Sequence, residues 1–174
     1  MPKGSRKHMK KGGTRKNRGH NANSGHNANS GHNANSGHNA NRSIPQKFEQ
    51  QIVLKFIIML NTVKLYHWKT HSYATHKATD ELYSNLNDHI DKFVEVLLGK
   101  SGDRVNLIGV KSIPLKDYTT IEQFKREIND FKGYLVSLNN NPALKSMSNS
   151  DLYNIRDEIL GDLNQFLYLL TFNK

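Results

Sequence analysis

Apolar residues recur at helical spacing in four separate stretches between residues 45 and 172, and no stretch shows the apolar–polar alternation of a half-buried strand. In the first, Ile52, Phe56, Leu60 and Val63 advance by four, four and three, which is one face of a helix running to about Thr70. Pro45 suits the first turn of that helix, with Ser43 before it as the cap. Leu54, Ile58 and Leu65 lie off the stripe, so this helix is expected to be covered on two sides. A second helix is predicted from Tyr73 to Leu98, with Leu82, Leu86, Ile90, Phe93 and Leu97 inward and Gly99 as its stop. Residues 101–119 contain Ile108-Gly109-Val110 and Pro114 and read as a connection with room for a short helix. The third helix, Thr120 to Leu138, buries Ile121, Phe124, Ile128, Phe131 and Leu135, and Asn139 to Pro142 terminate it. Ser148 or Ser150 should cap a fourth, which reaches about Phe172 and turns Leu152, Ile155, Ile159, Leu163, Phe166 and Leu170 inward. The fold class is therefore all-α, a four-helix bundle over residues 43–174.

Charge divides the chain differently. Net charge is +10, yet the first 42 residues hold nine Lys or Arg and no Asp or Glu, while the remainder sets sixteen bases against fifteen acids. Residues 1–18 carry Lys3, Arg6, Lys7, Lys10, Lys11, Arg15, Lys16 and Arg18 with almost nothing apolar, a composition expected to stay disordered and to attract polyanions. Residues 19–42 repeat Gly-His-Asn-Ala-Asn-Ser at a period of six and place His20, His26, His32 and His38 at equal intervals. A floppy chain gives those imidazoles no preformed geometry, so the repeat is read as a spacer, ahead of weak metal capture.

Cysteine is absent, which excludes disulfides, thiolate metal sites and Cys nucleophiles. The apolar run Ile57-Ile58-Met59-Leu60 sits between Lys55 and Lys64, far short of the roughly 20 apolar residues of a membrane span. The basic start is followed by Gly, Asn and His, not by the apolar core of a signal peptide. An intracellular protein that is neither embedded in a membrane nor exported by a cleaved signal is expected. No Ser stands in a nucleophile motif, so covalent hydrolysis has no support.

Chemistry concentrates between His67 and Glu95. His67 follows Val63 by four residues, and His76, Asp80, Ser84, Asn87, Asp91 and Glu95 form one polar seam along the second helix. Acids and imidazoles together suit hard or borderline divalent ions. Any single member is more simply a solvated helix face, or for His67 a satisfied core histidine. Asp80 and Asp91 lie eleven residues apart, about 16 Å along a helix, too far to share an ion. Two copies packed antiparallel about a two-fold axis near Leu86 would bring His76 and Asp80 of one against Asp91 and Glu95 of the other, closing two identical sites.

His67-Trp68, then His76-Lys77-Ala78-Thr79-Asp80-Glu81-Leu82-Tyr83, Asp91-Lys92-Phe93-Val94-Glu95 and Leu98-Gly99, resemble the signature of the Dps proteins, the miniferritins. The resemblance implies a ferritin-like fold and a dimer-interface centre made by His67, His76 and Asp80 with the mate's Asp91 and Glu95. It also implies iron as the metal and oxidation of Fe(II) by peroxide or oxygen. A homo-oligomer follows, extending to a dodecameric shell that stores mineral and holds DNA non-specifically through the basic arm. The lysine-rich start and the Asn-rich repeat also look like products of large DNA viruses. The alternative is a non-enzymatic bundle, structural or DNA-condensing in a virion or nucleoid, with a degenerate metal site.

Overall fold

The computed structural model describes residues 44–145 and 149–172. The basic arm, the repeat and the caps expected from Ser43 and Ser148 lie outside them. All regular structure among the described residues is helical: α1 (Gln46–Lys69), α2 (Tyr73–Ser101), α3 (Ile121–Ser137), α4 (Pro142–Lys145) and α5 (Ser150–Leu169). The protein is thus all-α, with four long helices and one short one, and no helix among the described residues is long and apolar enough to cross a membrane.

Helix ends show where local chemistry governs. Pro45 serves as the N-cap of α1, its carbonyl accepting from the Phe48 and Glu49 amides. α2 does not stop at Gly99. It runs on through Ser101 and ends at Gly102, the residue that adopts a left-handed φ of 72°. That conformation costs a residue with a Cβ about 1–2 kcal/mol, so the glycine that can take it sets the end, not the first glycine met. α3 opens on a capping box in which the Thr120 hydroxyl accepts from the Gln123 amide and the Gln123 side chain returns the bond. Its last turn tightens into a 3-10 segment, Leu138–Asn140, and Pro142 then starts α4, so it begins a helix as well as closing one. α5 has Asn149 as N-cap without a side-chain cap bond. That side chain instead donates to the Leu144 carbonyl at 2.6 Å, and Ser150 is the first helical residue.

The inward stripes of α2 and α5 are buried at every position expected from the sequence, as is that of α3 apart from half-buried Ile121. On α1 the stripe is Ile52, Phe56, Met59, Val63 and Tyr66, with Leu60 only half buried. Steps of four, three, four and three keep a line straight on a helix, whereas Leu60 stands about 80° around from Ile52. Phe56 meets Phe93 edge-on at 5.2 Å, and Phe124 meets Phe166 at 5.8 Å, tying the stripes into one core. Each such side chain contributes about 1.5–3 kcal/mol by leaving water.

Polar contacts give the helix directions. The three-residue turn 70–72 makes α1 and α2 an antiparallel pair. Asn85 with Asp162, His89 with Glu158 and Lys100 with Asp151 align α2 antiparallel to α5. The segment between α2 and α3 holds no helix. It begins beside the start of α1, where Gln50 donates to the Asn106 carbonyl at 2.6 Å, and ends beside its last turn, where Lys69 pairs with Asp117 at 2.6 Å. α3 therefore begins at the end of the molecule where α2 began. Lys116 and Tyr118 fasten this connection by donating to Glu127, an α3 carboxylate only 4% exposed.

Candidate metal centre

The turn between α1 and α2 is short because Ser72 caps α2, accepting from the Thr75 amide at 3.3 Å. It folds the last turn of α1 directly onto the first turn of α2. His67 and His76 then stack, with ring centroids 3.9 Å apart and planes 23° off parallel. Each ring bonds the other residue's backbone: Nδ1 of His67 lies 3.1 Å from the His76 carbonyl, and Nδ1 of His76 lies 3.1 Å from the His67 carbonyl. A carbonyl oxygen only accepts, so both Nδ1 atoms carry a proton and donate. In the neutral rings Nε2 therefore keeps its lone pair, the tautomer and outer-partner pattern that metal-bound histidines show. Thr79, fully buried, reinforces the arrangement: its hydroxyl lies 3.2 Å from Nδ1 of His67 and donates to the Thr75 or His76 carbonyl.

Asp80 stands next to this pair. Its Oδ1 is 3.9 Å from Nε2 of His67 and 4.0 Å from Nζ of Lys64, whose ammonium also sits over the Tyr83 ring at 4.6 Å. Lys64 thus supplies the positive charge beside Asp80 within one chain. Asp91 and Glu95 continue the seam along α2 and are exposed, as are Asp80, Ser84 and Asn87. The structure brings together His67, His76 and Asp80 and leaves Asp91 and Glu95 apart from them. Among the described residues no three His, Asp or Glu side chains are grouped so as to hold an ion within the chain.

His89 stands in no sequence motif, but it is half buried where α2 packs on α5. Its Nδ1 lies 2.7 Å from Asp162, and its Nε2 lies 4.0 Å from Glu158, which Lys92 also pairs at 3.3 Å. A separation of seventy-three positions between His89 and Asp162 hid the pair, since no short-range signal links them. The burial of Glu127 was missed for a related reason: a carboxylate at a helical surface position looks solvated until the connection folds over it. There the Tyr118 hydroxyl is pushed up to about 12, first by burial and then by its bond to Glu127. Nearby Lys55, over the Phe131 ring at 4.9 Å, is held below its usual value by burial and then by Lys116.

Comparison with known proteins corrects the resemblance drawn from the motif. The match to a described family begins at His67 and runs to residue 170, so it covers the stretch on which the likeness to Dps rested, and the family is a different one. The error has a physical origin: acids and amides at every third or fourth position are what an exposed helix face carries in many unrelated proteins. The chain is 32% identical over 107 residues, 60% of its own length and 73% of the relative's, to the uncharacterized 14.6 kDa protein in the mobD-ri intergenic region of Enterobacteria phage T4. No solved structure matches it. With residues 67–170 matched, more than half of the chain, the protein belongs to DUF5856, a family of unknown function.

Proposed function

We propose that the helical region binds Fe(II) as a substrate at a site shared between two copies, and promotes its oxidation by peroxide or oxygen. The observation that carries this reading is the reciprocal bonding of His67 and His76, which commits both Nδ1 atoms to carbonyls and leaves both Nε2 atoms available. With Asp80 they offer two nitrogens and a carboxylate. Asp91 and Glu95, exposed and outside any ion pair among the described residues, are the acids that a second copy would bring. Carboxylates favour the more highly charged oxidised ion. The residues here bind and orient, and each iron gives up one electron to the oxidant. Lys64 must yield its place beside Asp80 when a cation enters.

The four long helices support a bundle of ferritin-like connectivity, because a single long connection running beside α1 separates two antiparallel pairs. Assembly into a closed shell of a dozen copies goes with this reading, as does an intracellular location. The run of bases from Lys3 to Arg18 supports non-specific DNA binding through phosphates, with affinity that falls steeply with salt.

A second reading has its own observation. Lys64 already neutralises Asp80, as expected if the seam is an interface in a non-enzymatic structural or DNA-condensing protein. Fe(II) oxidation by the wild type beside Asp91→Ala/Glu95→Ala separates the two. The iron reading expects the double variant to fall to the rate of free Fe(II), and equal rates would end it. The size of the purified protein tests the shell.

A further inference from the structure

At the end of the molecule where α1 finishes and α3 begins, a cleft of about 360 Å³ opens between the α1–α2 turn, α3 and the last turn of α5. That volume is in the range of small-molecule sites. Two helices, α2 and α3, start at its wall, and the first amides of a helix have no acceptor within it. Helix starts favour anions, but α1 and α5 end here too and offset that field, so side chains must decide the sign.

Three of them do. Lys69, His71 and Lys125 line the cleft against one acid, Glu122. Lys69 is paired with Asp117, whereas half-buried Lys125 has no carboxylate partner among the described residues. The second observation is Tyr66. It is 94% buried, its ring is stacked on Phe124 at 4.1 Å, and it lines the same cleft, yet its hydroxyl has no hydrogen-bond partner among the described residues. That hydroxyl opens on the cleft, where a ligand oxygen can accept from it.

We infer that this cleft binds a small phosphate monoester that also carries hydroxyl groups, of the sugar-phosphate class. Lys125 would face the phosphate with a charge-assisted bond, and His71 would donate a ring N–H to it. Glu122 accepts from ligand hydroxyls, and Tyr66 donates to one of their oxygens. Ile121 and Leu170 supply the apolar wall. This site uses none of the residues proposed to hold iron.

Titration calorimetry of the full chain with ribose 5-phosphate, ribose and inorganic phosphate tests the inference, with Lys125→Glu and Tyr66→Phe as variants. The basic N-terminal run is present in every protein and gives a common background. The expected result is saturable binding of ribose 5-phosphate, tighter than either fragment, weakened about tenfold or more by Lys125→Glu and several-fold by Tyr66→Phe. Unchanged thermal midpoints in both variants would show that the losses are local. If a variant proves destabilised, protection of wild-type Lys125 from amine acetylation by ribose 5-phosphate gives the same reading. No saturable binding, equal binding by all three proteins, or ribose binding as tightly as its phosphate overturns it.

Discussion

The two faces of α2 have unlike claims on the rest of the chain. Its inner face, from Leu82 to Leu97, is covered by α1 and α5 of the same molecule, and every residue of that stripe is buried. Its outer face carries Asp80, Asp91 and Glu95 in the open. The inner face is settled by one copy, so its energetics are those of packing. The outer face has chemistry to offer only when something else arrives. Stability and function on this helix are therefore separable by mutation.

The largest effect should come from emptying the inner face. Phe93→Ala removes a ring that is 1% exposed and packed edge-on against Phe56. It should cost about 3–5 kcal/mol in denaturant unfolding. Gly102→Ala tests the end of the helix with the inner face intact: a loss of about 1–2 kcal/mol is expected from the left-handed φ, although no neighbouring atom would meet the new Cβ. Gly99→Ala, inside the helix, should be neutral or slightly stabilising.

Alkaline pH probes the connection. The Tyr118 hydroxyl is raised from 10.0 to about 12, so the folded state favours its neutral form. That contribution is present in full below pH 10 and is lost as pH rises through about 12. Stability should fall over this window, and Tyr118→Phe should flatten the fall. It should not abolish it, since burial also raises Tyr134 to about 12.

The smallest change in stability belongs to the outer face. Asp91→Ala and Glu95→Ala should each stay within about 0.5 kcal/mol of wild type in the absence of metal, because both are exposed. With Fe(II) or Zn(II) added, the wild type should gain thermal stability and the variants should not. A large metal-free loss in either variant would show that the two faces are not independent.

Most of the fold was legible because helical spacing is a local signal. Leu82 through Leu97 and Leu152 through Leu170 could be assigned without knowing what covers them. Helix ends were less so: Gly99 and Gly102 are equivalent in sequence, and only the path of the following residues chooses between them. For the candidate site, residue types pointed to His67, His76 and Asp80, and the structure places these three together. The stacking of the rings and the bonds from Nδ1 to carbonyls were not legible, because a three-residue turn has no side-chain pattern that announces its geometry. The ammonium of Lys64 beside Asp80 was likewise invisible until α1 and α2 were laid side by side. Family membership was misread from the same seam, where polar spacing is too common to discriminate.

The long connection beside α1 has a consequence for how the chain can be divided. Residues 108–110 are exposed at a point where α1 and α2 are already complete and α3 and α5 have yet to begin. A protease nicking there would yield two helical hairpins, each with a bare apolar side that only the other matches. The halves should stay joined without a peptide bond, and neither should persist alone.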